Sequence, residues 1–198
     1  AFVNVPNLES LSEKYNNEYV NRSYKHLVVQ IKEMGKNILY GPNCNCEDVP
    51  YYILYCTSEI GTSSPVICGK CGNDIPLYKV PYLFTDEEHF TLINYQKTYA
   101  SVHELYMQSL SDRFTKNQLL KPNSSLNKRA FKIREELENK IKKPVYLSLS
   151  RVFFDHKNDY KKIDSDKCPK CGKNLEECEY QFDSVKIFKC DDCRLITD

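Results

Sequence analysis

An α+β fold is what this sequence predicts: a small mixed core of helices and strands with two four-cysteine zinc ribbons, one internal and one C-terminal. Three observations carry the prediction. Eight of the ten cysteines fall in close pairs, Cys44-x-Cys46 with Cys68-x-x-Cys71 and Cys168-x-x-Cys171 with Cys190-x-x-Cys193. Leu126, Ala130, Ile133, Leu137 and Ile141 recur at i, i+4, i+7, i+11 and i+15, which places them on one face of a helix. Tyr51–Tyr55 and Val145–Phe154 are short runs rich in β-favouring residues.

Taken in order, residues 1–40 should form an N-terminal strand and helix. Ala1–Val5 reads as the surviving end of a strand from a longer protein, because no methionine precedes Ala1. Ser10-x-x-Glu13 has the form of a capping box. Val20, Tyr24, Leu27, Ile31 and Met34 recur at helical spacing until Gly35, which gives a helix over about 11–34 with that stripe in the core. Asn37–Tyr40 reads as a short strand, turned by Gly41-Pro42 into a first ribbon over residues 41–81. In that ribbon Tyr51–Tyr55 should pair with a return arm over Ile75–Tyr82, an edge strand by its prolines Pro76 and Pro81.

Residues 82–154 should form a core segment of helices and strand. Thr85-x-x-Glu88 caps a helix from Asp86 to about Gln108, with Phe90, Ile93, Val102 and Tyr106 among its apolar residues. A polar stretch runs through Pro122. The amphipathic helix then starts at Ser124 or Ser125 and ends before Pro144, where the strand over Val145–Phe154 begins. Asp155–Asp166 is a charged linker. Residues 166–198 form the C-terminal ribbon, with Tyr180–Phe182 and Val185–Phe188 as hairpin arms around Asp183-Ser184.

The paired cysteines point to two structural Zn²⁺ ions, one held by Cys44, Cys46, Cys68 and Cys71, the other by Cys168, Cys171, Cys190 and Cys193. Thiolates two residues apart in a tight turn can both face one tetrahedral cation, and the segment between the pairs is long enough to return as a hairpin. Gly172 suits the turn such a knuckle needs. Zinc supplies about 10–16 kcal/mol of apparent binding energy in small thiolate domains, enough to fold a segment without a core of its own. Cys-x-Cys at the first site is a tighter spacing than zinc sites commonly use. Cys56 and Cys178 are left over and read as buried small hydrophobes, with Cys178, inside its ribbon, the one that competes as a ligand.

Composition bounds the function. The chain has 198 residues, 41% apolar, which suits one ordinary core with metal-held appendages. Zinc spacing and the lack of a signal-peptide pattern favour a reducing cytoplasm over a secreted disulfide scaffold. The longest apolar runs are far below the roughly 20 residues needed to cross a bilayer. Formal charge is +1 with every cysteine neutral, and two zinc–tetrathiolate sites would carry it to about −3.

The motifs do not describe an enzyme. His103-Glu104 lacks the second histidine of a metalloprotease, because position 107 is Met. Lys167 stands where a zinc deaminase has proline before its Cys-x-x-Cys. Six glycines offer no phosphate-cradling loop, no small-molecule substrate is indicated, and the four scattered histidines read as surface or loop residues. A binding role remains, with nucleic acid or a protein as partner. Asp112–Lys143 carries ten Lys or Arg against four Asp or Glu, and Arg129, Lys132, Lys140 and Lys143 share much of one solvent face of the amphipathic helix. The ribbons are acidic: residues 41–81 have four acids against two bases, and residues 166–198 have eight against six. Fifteen tyrosines can stack on bases or anchor a protein interface, as in an adaptor or an immunity protein that neutralises a toxin.

Several local patterns together resemble a known family. They are Lys14-Tyr-Asn-Asn-Glu-Tyr-Val20, Tyr52-Ile-Leu-Tyr55, Ser64-Pro-Val-Ile-Cys-Gly-Lys-Cys71 with Pro76-Leu-Tyr-Lys79, Asn123-Ser-Ser-Leu126, Pro144-Val-Tyr146, and Cys168-Pro-x-Cys171 with Cys190-Asp-x-Cys-Arg-Leu195. With them the chain resembles the bacterial zinc-ribbon-containing proteins of unknown function to which nucleic-acid binding is ascribed. The resemblance covers most of the chain and implies zinc ribbons, a nucleic-acid partner and additional sequence before the position of Ala1.

Overall fold

The structure, a computed structural model, describes residues 5, 7–26, 30, 42–56, 64–85, 89–149, 167–178 and 186–197. Its strands are β1 (Tyr52–Leu54), β2 (Val66–Cys68), β3 (Val145–Ser148), β4 (Glu176–Glu177), β5 (Phe188–Cys190) and β6 (Leu195–Thr197). Its α-helices are α1 (Glu18–Tyr24), α2 (Phe90–Met107), α3 (Asp112–Leu120) and α4 (Ser125–Ile141). The α+β expectation, with one internal and one C-terminal cluster of four cysteines, is what the chain forms.

All six strands join one sheet in the order β2-β1-β3-β6-β5-β4. β3 lies between β1 and β6 and is parallel to both, whereas β1–β2, β5–β6 and β4–β5 are antiparallel. The two ribbon segments therefore extend the edges of a sheet whose centre is β3. Side chains alternate across it, as the two-residue period of a strand demands. Leu54, Val66, Cys68, Val145, Leu147 and Leu195 belong to the main core, with Leu92, Tyr95, Leu119, Ala130, Ile133 and Leu137 from the helices. Ile53, Ile67, Tyr146 and Ile196 point to the other face and pack with Cys178 and Ile187. Val145, Tyr146 and Leu147 are consequently buried on both faces, as befits a central strand.

The amphipathic helix is α4, with Ser124 as N-cap accepting from the Asn127 amide. Leu126, Ala130, Ile133 and Leu137 are buried and Ile141 packs against the core. Before it lies a helix that the expected polar stretch concealed. α3 buries only Thr115 and Leu119, too little apolar surface to show a period. Asn127, fully buried, completes it from α4 by donating through Nδ2 to the carbonyls of Gln118, Leu119 and Lys121 at 3.1, 3.1 and 3.0 Å. The stripe on α2 is largely aromatic and polar: Leu92, Tyr95 and His103 are buried, with Tyr99, Val102 and Tyr106 packed beside them. His103, expected on a surface or in a loop, is a core residue stacked on Tyr99 with ring centroids 6.0 Å apart. Phe90 is exposed, and α2 begins there after His89, so it starts later than Asp86; residues 86–88 lie outside the described segments.

The long first helix does not form as expected. Two 3-10 turns, Leu8–Leu11 and Glu13–Tyr15, precede α1; Asn7 caps the first turn and Asn17 caps α1, their side chains accepting from the amides of Ser10 and Val20. The Ser10 hydroxyl donates to the Asn7 carbonyl, so the expected capping box is absent. Asn16-Asn17 favours a break in the helix, and Val20 and Tyr24 are exposed. Leu27, Ile31, Met34 and the expected strand at 37–40 lie outside the described residues, as do 1–4 of the expected N-terminal strand.

The first hairpin also pairs differently. β1 returns through β2, in the register Tyr52↔Cys68, and not through 75–82, where Pro76 precedes a 3-10 turn over Leu77–Lys79. Pairing through β2 puts a cysteine at the end of the ladder. In the C-terminal ribbon residues 179–185 are outside the described segments, and β6, unforeseen, makes the seam to β3. β3 itself ends at Ser148, short of Phe154, and residues 150–166 are not described. Among the described residues no helix is long and apolar enough to cross a membrane.

Candidate metal centres

Two knuckles of the same design carry half of each cluster. At the first, the Cys68 amide donates to the Asn73 carbonyl and the Gly72 amide to the Cys68 carbonyl, at 2.9 and 2.8 Å. At the second, the Cys168 amide donates to the Lys173 carbonyl and the Gly172 amide to the Cys168 carbonyl, at 2.8 and 2.9 Å. Gly72 and Gly172 have φ of +71° and +74°, a conformation that favours glycine and reverses the chain directly after the second thiol. The Lys70 amide lies 3.4 Å from Cys68 Sγ, an N–H aimed at sulfur.

The remaining pairs approach by other routes. Cys44 is tied to the first knuckle by its amide, which donates to the Asp74 carbonyl at 2.8 Å, and the Cys46 amide lies 3.4 Å from Cys44 Sγ. At the C-terminal ribbon β5 ends in Cys190, and Cys193 follows after Asp191-Asp192. Arg194 then occupies the position held by glycine in the other two knuckles, at φ +50°. Its guanidinium reaches Glu138 on α4 (3.4 Å) and Tyr146 on β3 (3.5 Å), interactions that offset a backbone strain of about 1 kcal/mol. Tyr146 in turn donates to Asp191, between the last two cysteines, and this hydrogen bond lowers the Asp191 carboxyl below its usual range.

In each cluster the four sulfurs lie within 4.8 Å of one another. Four thiolates about 2.3 Å from a tetrahedral ion would be about 3.8 Å apart, and Cys171 Sγ lies 3.7 Å from Cys190 Sγ. The donor set and spacing suit one metal ion per cluster. Four thiolates close the coordination sphere and leave no position for a reacting water, so each ion would be structural. Without a cation the sulfurs cannot all ionise together. Burial raises the thiols of Cys44, Cys190 and Cys193, while the Lys173 amide brings Cys171 down to about 7. A divalent ion would displace these protons on binding.

Cys56 and Cys178 stand outside both clusters. Each is buried, and burial pushes each thiol up. Cys178 packs in the smaller core with Ile187 and Ile196. Among the described residues, the two clusters are the only groups of three or more His, Cys, Asp or Glu with converging donor atoms.

The four cations of the basic face divide. Arg129, Lys132 and Lys140 are exposed on α4, and Lys140 stands 3.9 Å from Glu136. Lys143, just beyond the helix, donates to Asp48 Oδ1 at 2.6 Å and to the Val49 carbonyl at 2.8 Å, tying α4 to the first cluster. Lysines of the C-terminal ribbon are engaged within it or against α4: Lys173 with Asp192, Lys186 with Glu177 at 3.0 Å, Lys189 with Asp191 at 3.2 Å, and Lys170 over the Phe131 ring at 4.0 Å. Arg194 and the exposed apolar corner between α2 and α3 (Leu105, Met107, Leu110, Phe114) are features that sequence reading missed. Leu110 and Phe114 sit in the expected polar stretch, where no period marked them.

No curated protein and no solved structure matches the chain. Residues 46–150, which run from Cys46 to just past β3 and exclude Cys44 and the C-terminal cluster, match the family described as Domain of unknown function (DUF2310). That match spans more than half of the 198 residues, and the chain belongs to the DUF2310 family.

Proposed function

We propose that the protein is a zinc-containing, non-enzymatic binding protein of the cytoplasm whose partner is nucleic acid, engaged by the exposed face of α4. The metal assignment is supported by the all-thiolate donor sets, since soft sulfur ligands in tetrahedral groups of four select zinc. The observation that carries the partner is the distribution of uncommitted charge. Lys128, Arg129 and Lys132 are exposed on α4 with no ion pair among the described residues, while Lys170, Lys173, Lys186 and Lys189 of the C-terminal ribbon are neutralised by neighbouring acids or held over a ring. Phosphate affinity comes from free cations, and metallated ribbons would repel it.

A titration of intact protein with duplex and single-stranded oligonucleotides between about 50 and 200 mM salt tests this reading. Affinity should fall steeply, and reversal of Arg129, Lys132 and Lys140 to Glu should abolish binding and reduce the salt slope by about 0.9 for each duplex phosphate no longer neutralised. Reversal of Lys170, Lys173 and Lys189 should change it little. Ribbon reversal that abolishes binding would refute the α4 assignment.

A second reading is a protein-binding role as an adaptor or toxin-neutralising immunity protein. It is favoured by the exposed Leu105, Met107, Leu110 and Phe114 at the α2–α3 corner, an apolar group of the kind that marks protein interfaces. Salt-insensitive capture of a protein partner from nuclease-treated lysate, lost in Met107→Asp with Phe114→Asp, would favour it.

A further inference from the structure

We infer that a tyrosine- and lysine-lined cavity between the N-terminal segment and the end of α4 binds one nucleotide unit, its base on the tyrosines and its phosphate on the lysines. The cavity measures about 410 Å³, within the range of about 300–1,000 Å³ that small-molecule sites occupy. Tyr15, Tyr78 and Tyr82 line it together with Lys14, Lys79 and Lys140. All three tyrosines are half-buried.

The aromatic wall is pre-arranged. Tyr15 and Tyr78 meet edge to face with centroids 4.7 Å apart, a geometry that does not bury both ring faces against each other. Their hydroxyls are fixed on Glu9, at 3.0 and 3.3 Å, and Tyr78 also accepts from Asn7 at 2.9 Å. Tyr82 is steadied by the tilted ring of His89, 4.6 Å away. Lys14 and Lys79 already stand over the Tyr15 and Tyr78 rings, 4.6 and 5.6 Å from their centroids, so a planar guest stacks on Tyr82, whose held ring spares the ordering cost that weakens binding to mobile side chains.

The lysines supply the other half of the recognition. Lys14 and Lys79 share Glu9, at 3.1 and 3.2 Å, and Lys140 stands 3.9 Å from Glu136. Three ammonium groups against two carboxylates leave a positive excess. Each ammonium has three donors, so Lys14 and Lys79 can keep Glu9 and still bond a phosphate oxygen. A free inorganic anion would leave the tyrosines idle, and an acidic peptide would bring no flat face to them. A base with an attached phosphate uses both halves, and base–aromatic stacking tolerates any base. The site goes beyond the α4 reading and shares with it only Lys140.

Two probes distinguish the source of the nucleotide unit: adenosine 5′-monophosphate, and a short single-stranded oligoadenylate, each titrated into the full chain with tyrosine fluorescence as readout. Tyr82→Ala should weaken binding by about tenfold or more, Tyr82→Phe should restore it, and Lys79→Gln should weaken it by about threefold. Tyr82-dependent binding of the monophosphate identifies a free nucleotide as sufficient, and such binding of the oligoadenylate alone identifies a strand. Arg129→Glu with Lys132→Glu should leave monophosphate binding intact. Oligoadenylate binding that those two reversals abolish while Tyr82→Ala and Lys79→Gln leave it unchanged would overturn the cavity and spare the α4 reading. Absence of binding of both probes would overturn the cavity outright.

Discussion

Cys171 and Cys56 show how differently two thiols of one chain can matter. Cys171 is the exposed corner of a four-sulfur cluster, and its removal leaves three donors around a tetrahedral ion. Cys56 is buried alone, and Cys56→Ser exchanges a small apolar group for a hydroxyl of similar size. Cys171→Ser should therefore lower the melting temperature and release one metal ion per chain, with Cys56→Ser retaining both ions and costing at most about 1–2 kcal/mol. Equal melting temperatures and metal contents would show that ligand and spectator have been exchanged. Much at this scale was legible in the sequence. The Cys-x-x-Cys-Gly spacing implies a chain reversal with positive φ after the second thiol, and Gly72 and Gly172 adopt it. Arg194 was not legible, because a non-glycine in that conformation is tolerated only through bonds with Glu138 and Tyr146, which lie 56 and 48 residues away in sequence.

At the scale of single elements, α3 depends on a residue that is not its own. Asn127 reaches three carbonyls at the C-terminal end of α3 with two N–H groups. Those of Gln118 and Lys121 also accept from Ser124, so the loss of Asn127 falls chiefly on the buried Leu119 carbonyl, and a buried carbonyl without a partner is costly. Asn127→Leu should destabilise the protein by about 1–3 kcal/mol in chemical denaturation while leaving both metal ions bound; a loss below about 0.5 kcal/mol would contradict the assignment. The N-terminal segment is held by a different kind of bond. Hydrogen bonds from Lys14 and Lys79, and from Tyr15, hold the Glu9 carboxyl down at about 2. A lowered carboxylate stabilises above its unfolded pKa of about 4.5 and loses that contribution as pH falls towards 2. Glu9→Gln at neutral pH should therefore loosen residues 7–15 as acid does in the parent, read by faster proteolysis there, and an unchanged cleavage rate would refute the tether. These elements escaped sequence reading for physical reasons. α4 announces itself through five aliphatic residues in register, whereas α2 presents Tyr95, Tyr99 and His103 to the interior and α3 presents Thr115, groups that carry no clear apolar period.

On the scale of the whole molecule, the two ribbon segments join a single sheet through β3. The Leu147 amide donates to the Arg194 carbonyl and the Leu149 amide to the Ile196 carbonyl, both at 2.9 Å, directly beside the last cysteine. Lys143 links the end of α4 to Asp48, two residues past Cys46. Local patterns identified both clusters, but strand order depends on pairings between β1, β3 and β6 that span scores of residues and leave no local mark. Metal at either cluster should thus stabilise the shared core and not only its own knuckle. Whether each cluster holds one zinc ion is read from the metal content of the chain. Elemental analysis with native mass spectrometry should find two zinc ions per chain in the purified protein and one in Cys193→Ser. One zinc or fewer in the parent, or cysteines paired as four disulfides, would contradict the account.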